Sequence, residues 1–148
     1  MSRIKAIGFT WRRAKPTFVV VGWAVSLSSI ALTGIVQGLI VPHVHFSSDR
    51  SLIEVLGDAL YYGGMFGVST IAGMFLGEIG KGLFGFLASY FTAIVLTYVM
   101  LILPGLTGII PEIGAENLAV QFTFTAFFPI AIFVGLIGGI LGAALKDM

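Results

Sequence analysis

The sequence predicts an all-α, polytopic membrane protein: a four-transmembrane-helix bundle preceded by a short N-terminal interfacial amphipathic helix. Three observations carry that reading. Hydrophobic residues make up 57% of the 148-residue chain and charged residues 10%, with a mean hydropathy of +1.05. A soluble domain carries roughly a quarter charged residues, because its surface faces water. The apolar residues lie in long continuous runs, not in the alternation of a membrane barrel, whose strands need only about ten residues each. Five of the eight basic residues (Arg3, Lys5, Arg12, Arg13 and Lys15) fall in the first fifteen positions, directly ahead of the first run.

Residues 1–15 read as a basic amphipathic segment. Ile4, Ile7, Trp11 and Ala14 recur at helical spacing while arginines and lysines fill other positions, as in a helix lying in the membrane interface. The run from Phe18 to Val41 is read as a mature span. A signal peptide has an apolar region of only about 7–15 residues ahead of a small-residue cleavage site.

Residues 16–148 then form the membrane domain. Its spans are expected at about 17–41, 52–77, 82–103 and 119–145. Pro42 closes the first, because proline cannot continue a helix easily. Ser51 and Glu54 form a capping box that opens the second. Pro104 closes the third, and Pro129 kinks the fourth. The connections are "PHVHFSSDR", the very short "EIGK", and "GLTGIIPEIGAEN", which is apolar enough to lie against the membrane.

Basic residues set the orientation. The N-terminal segment, Lys81 and Lys146 give seven on one side, against Arg50 alone on the other. The positive-inside rule therefore predicts a multi-pass protein of the cell membrane with both termini in the cytoplasm. Tyr61, Tyr62 and Tyr98 are expected in an aromatic belt at the outer interface.

Small residues give the most informative pattern. Gly22, Ser26, Gly34 and Gly38 fall on one four-residue ladder in the first span, and Ser69, Gly73 and Gly77 on another in the second. Gly63 and Gly67 form a separate pair. The third span offers Gly85, Ser89, Ala93 and Thr97; the fourth offers Ala131, Gly135, Gly139 and Ala143, with Gly138 and Gly142 on a neighbouring row. A small residue every fourth position lets two backbones approach closely, a main source of helix association in lipid. Gly34, Gly38, Gly73, Gly77, Gly135, Gly139 and Ala143 are the expected packing or association residues. The second and fourth spans carry two small rows each, which makes them the expected faces toward a second chain. They also end alike, "IAGMFLGEIGK" beside "IGGILGAALKD". A duplicated hairpin produces such a match, and so does convergence among glycine-rich helix ends.

Groups able to carry chemistry are few. His43 and His45 form an H-x-H pair with Asp49 nearby, a weak metal candidate, since two nitrogens and one carboxylate are an incomplete ligand set. Incidental histidines on a solvated loop are the plainer reading. Glu54 and Asp58 lie one helical turn apart and, with Gln37, mark a polar path if there is one. Both carboxylates lie near a span end, and a hydrogen bond between helices is the plain reading of Gln37. With no cysteine the chain has no disulfide and no thiolate site. Nucleophile elbows, phosphate-binding loops and metalloprotease motifs are missing. No cofactor and no nucleic-acid partner is implied.

These observations predict a non-enzymatic small membrane protein, an accessory subunit in a larger or homo-oligomeric assembly. The alternative is a small homo-oligomeric channel or transporter, with Ser26, Ser29, Thr33, Ser89, Thr92 and Thr97 lining the path. An intramembrane enzyme comes third, because it would work with almost no acid–base residues.

Overall fold

The computed structural model describes residues 2–40, 52–109 and 111–147; for residues 2–15, 52–54, 112, 113 and 147 it describes the helix alone and not the side chain. All regular structure among them is helical: α1 (Ser2–Val36), α2 (Leu52–Leu76), α3 (Ile79–Leu106), α4 (Glu112–Phe127) and α5 (Ile130–Asp147). Three segments are long and apolar enough to cross a bilayer: Pro16–Val36, Val55–Leu76 and Ile79–Leu106. Counting the pair Gly114–Phe127 and Ile130–Lys146, bent by 45°, as one crossing raises the number to four. The chain is thus a helical protein with three to four candidate membrane spans. Large apolar side chains cover its outside, among them Phe18, Leu60, Phe84, Phe91, Phe124 and Phe133. In water that surface would aggregate; in lipid it is at home.

Several boundaries differ from those read off the sequence, each for a local reason. The first helix stops at Val36, well before Pro42, because Gly38 adopts a left-handed conformation (φ 71°) that a helix cannot continue. The Leu39 and Ile40 amides both turn back onto the Gly34 carbonyl. Gly77 ends α2 in the same way (φ 68°). Pro16 sits inside α1, so the basic N-terminal segment and the first apolar run form one helix. Pro104 is also inside its helix, in the last turn of α3. The expected span at 119–145 is two helices with the break at Phe128–Pro129, a cis peptide bond. Its first half begins at Glu112 and takes up much of the expected loop.

Packing fixes the directions. α2 and α5 run parallel: Phe66 faces Gly138, Thr70 faces Gly142, and Gly77 faces Lys146. α1 and α3 also run parallel, with Ser89 on the Val20 carbonyl and Thr97 on Ser28. The bent α4–α5 pair runs antiparallel to α3, from Ile94 and Tyr98 beside Val120 and Phe124, through Tyr90 against Phe127 and Phe86 against Gly135, to Gly82 against Ala143.

The α2–α5 seam is the tightest contact. A Cβ at Gly142 would overlap the Thr70 carbonyl oxygen, and one at Gly73 would overlap that of Gly139. At Gly138 a Cβ would lie 2.7 Å from the Phe66 oxygen. The Ser69–Gly73–Gly77 row of α2 and the glycines of α5 therefore face each other inside one chain, whereas Gly63 and Gly67 meet no residue of α5. This moves the expected docking surface off Gly73, Gly135, Gly139 and Ala143. Four-residue spacing says that a helix packs closely, and it does not say against which neighbour.

Candidate functional site

The bundle centre is organised by three aromatic residues with polar handles, Trp23, Tyr61 and Tyr90. Trp23 of α1 is 2% exposed and reaches three other helices. Its indole nitrogen donates to the Ser69 hydroxyl of α2 at 3.2 Å. Its ring lies 5.6 Å from that of Phe86 on α3, and it rests on Gly139 of α5, where a Cβ would come within 3.0 Å of the ring. Gly135 gives the Phe86 ring the same accommodation. The glycine row of α5 thus receives aromatic side chains on one side while its neighbouring row meets α2.

Above this layer lies the break between α4 and α5. A helix ends with carbonyls that have lost their partners, and inside a membrane each must be satisfied by protein. The Phe128 amide takes the Phe124 carbonyl at 2.9 Å. Pro129 has no N–H to offer Thr125. The Tyr61 hydroxyl of α2 donates to the Ala126 carbonyl at 2.7 Å, and the Tyr90 hydroxyl of α3 donates to that of Phe127. Two side chains from different helices thus hold the cut end of a third. Edge-on contact of the Tyr90 ring with Phe127 and Phe128 fixes its aim. Both tyrosines are buried, at 5% and 1% exposure. Tyr61 therefore does not belong to an interfacial belt. Its polar end points inward because an unpaired carbonyl is there.

Apart from Thr123, the remaining buried hydroxyls have partners in the chain. Ser28 and Thr97 share a hydrogen bond of 2.9 Å, and the Ser89 hydroxyl lies 3.0 Å from the Val20 carbonyl and 2.7 Å from that of Gly85. On the outside, Ser26, Ser29, Thr33 and Thr92 each donate to the carbonyl four residues earlier in their own helix. The Thr123 hydroxyl is buried without a partner among the described residues, and nothing in the structure explains it.

The predicted site residues are dispersed. Gly34 packs under Tyr61, whereas Gly38 and Gly77 terminate helices. Gln37 is exposed at the end of α1 and forms the rim of a groove of about 270 Å³ between α1 and α2, walled also by Ser29, Thr33, Leu60, Tyr61 and Gly64. Asp58 is half-buried on α2 and is not part of that wall. His43, His45, Asp49 and Ser51 lie outside the described residues, as does the side chain of Glu54. Among the described residues no three His, Cys, Asp or Glu side chains come together. Of the three residues that organise the centre, only Tyr61 stands out in the sequence, as a belt residue; Trp23 and Tyr90 do not. The one available signal was Pro129: a proline inside a span requires a donor somewhere to satisfy the carbonyls it frees.

What this arrangement offers chemically is hydrogen bonding and close packing. Phenol, indole and aliphatic hydroxyl groups do not ionise near neutral pH, so they serve poorly as general acids or bases there. No family, no curated protein and no solved structure matches this chain.

Proposed function

We propose that this chain is a non-enzymatic subunit of a membrane assembly, crossing the bilayer four times with both termini in the cytoplasm. The observation that carries the reading is that its interior polar side chains, Thr123 apart, are engaged in hydrogen bonds within the chain. Trp23–Ser69, Ser28–Thr97, Tyr61–Ala126 and Tyr90–Phe127 join helices across the centre, where a conducting path through a single chain would need free groups. Four crossings are favoured by the course of α4–α5, which lies beside α3 from the level of Tyr98 down to Gly82 and ends beside Gly77. Both lysines of the short connection and the tail, Lys81 and Lys146, then fall on one side with the basic N-terminal segment.

A second reading has its own support. Ser26, Ser29, Thr33 and Gln37 form a polar row on the outward side of α1. Several copies arranged about an axis would turn that row into the lining of a channel.

Native mass spectrometry of the full chain, both purified and released directly from its source membrane, tests the proposal. The subunit reading expects a mass well above the 15.7 kDa of one chain in the source membrane. A single chain in both preparations contradicts it. Ion flux through purified, reconstituted protein would transfer support to the channel.

A further inference from the structure

Among the described residues every buried hydroxyl but one has a partner. Ser28, Ser69 and Thr97 are bonded to side chains of other helices, and Ser89 to two carbonyls. Thr123 of α4, 6% exposed, is the exception. A threonine in a helix has a ready acceptor in the carbonyl four residues earlier, and Thr125, two positions on, uses it. Thr123 does not. Burying a hydroxyl unpaired is destabilising, and valine would occupy the same space.

Thr123 stands in the wall of a cavity of about 280 Å³ between α3 and α4. Ile94, Tyr98, Phe124 and Phe128 line it further, and its lips at Val95 and Val120 are exposed on the outside of the bundle. The lining is apolar, so carbon atoms of Thr123 form the surface and the hydroxyl lies behind them. A one-third turn about Cα–Cβ brings the oxygen to the methyl position, and threonine in a helix divides between two such rotamers. Tyr98, half-buried in the same wall, carries a second hydroxyl with no partner among the described residues.

Depth and chemistry select the occupant. α3 has 28 residues and is about 42 Å long, whereas the hydrocarbon core of a bilayer is about 30 Å thick. Tyr98 lies eight residues, about 12 Å, from the end of α3, so a bundle centred in the bilayer opens this cavity into the core. Acyl chains carry nothing that hydrogen-bonds, and phospholipid ester groups stay at the edge of the core with their head groups. A charged molecule would find no counter-charge in the wall. A carbonyl accepts what Thr123 and Tyr98 can donate and brings no donor of its own. The volume lies near the lower end for small-molecule sites, about 300 Å³, and the aromatic wall suits a single ring.

We propose that the α3–α4 cavity binds a neutral, membrane-dissolved ring ketone of the quinone type, with the Thr123 hydroxyl donating to a carbonyl oxygen. The site needs no second chain and is independent of the subunit reading.

Duroquinone and durene, the same methylated ring with and without carbonyls, are the probes. Each is added to the full-length protein in detergent while the melting temperature is followed. Duroquinone is expected to raise the melting temperature of wild type, and durene to raise it less. Thr123→Val alone is expected to melt no lower than wild type, because it removes an unpaired hydroxyl. Its half-saturating duroquinone concentration should rise about fivefold or more, the loss of one hydrogen bond, with its response to durene kept. The proposal is overturned if durene matches or exceeds duroquinone on wild type, if neither acts, or if Thr123→Val answers duroquinone as wild type does. Early melting of Thr123→Val without probe also overturns it, because the hydroxyl then has a partner in the chain. None of these results bears on oligomeric state, so the subunit reading stands or falls separately.

Discussion

Gly142→Ala is expected to destabilise the protein more than a methyl group added at any outward-facing glycine. Alanine is normally the better helix former by about 1 kcal/mol. Here its Cβ would overlap the Thr70 carbonyl oxygen and crowd that residue's carbonyl carbon and Cα as well. The obstacle is backbone, so no rotamer change relieves it. α2 and α5 must separate along the seam, which reduces packing from Phe66 to Lys146. The expected loss is about 3 kcal/mol, the upper end of the overpacking range, and Gly73→Ala, aimed at the Gly139 carbonyl, should follow it. Gly63→Ala is the internal comparison, because the space beside it is open. Measured as equilibrium unfolding of the separated chain, it should be neutral or gain about 0.5–1 kcal/mol. Similar losses at 142 and 63 would mean that the seam is not closed as described.

The second large effect is expected at the break. Tyr61→Phe and Tyr90→Phe each remove one hydroxyl and keep the ring, so packing is preserved while a buried carbonyl loses its donor. Stranding such a group costs about 1–3 kcal/mol. The two carbonyls belong to consecutive residues at one helix end. The double variant should therefore depart from the sum of the singles, since the second loss falls on an end already loosened. Hydrogen exchange adds a local readout: amides from Phe128 to Val134 should exchange faster in the variants. Unfolding within about 0.5 kcal/mol of wild type for both singles would mean that water already serves those carbonyls. The break would then be an open cavity and not a closed joint.

The sequence made the helices legible and left their ends and partners obscure. The expected second span, 52–77, coincides with Leu52–Leu76 because a helix-ending glycine follows the apolar run directly. Leu39, Ile40 and Val41 continue the first apolar run, so the sequence predicts a span reaching 41. Hydropathy does not register the left-handed backbone of Gly38 that ends the helix earlier. Pro129 was visible as a disturbance of the last span. Whether it bends or cuts a helix depends on donors reaching its freed carbonyls, and these come from Tyr61 and Tyr90, far away in sequence. Local pattern cannot show that. The same limit applies to the small residues. Gly73 and Gly67 have the same kind of four-residue partner in sequence, yet one lies against α5 and the other against nothing in the chain.

The most direct test of the four-crossing bundle is cysteine accessibility in intact cells, using a membrane-impermeant maleimide. Ser48→Cys and Gly108→Cys are expected to react from outside. Gly80→Cys and a cysteine appended after Met148 should react only after the membrane is opened. The pair Gly108 and appended cysteine decides the matter, because the broken α4–α5 segment lies between them. Labelling on opposite sides is the predicted result. Reaction of both from the same side would make α4–α5 a re-entrant hairpin, reduce the crossings to three, and contradict the account.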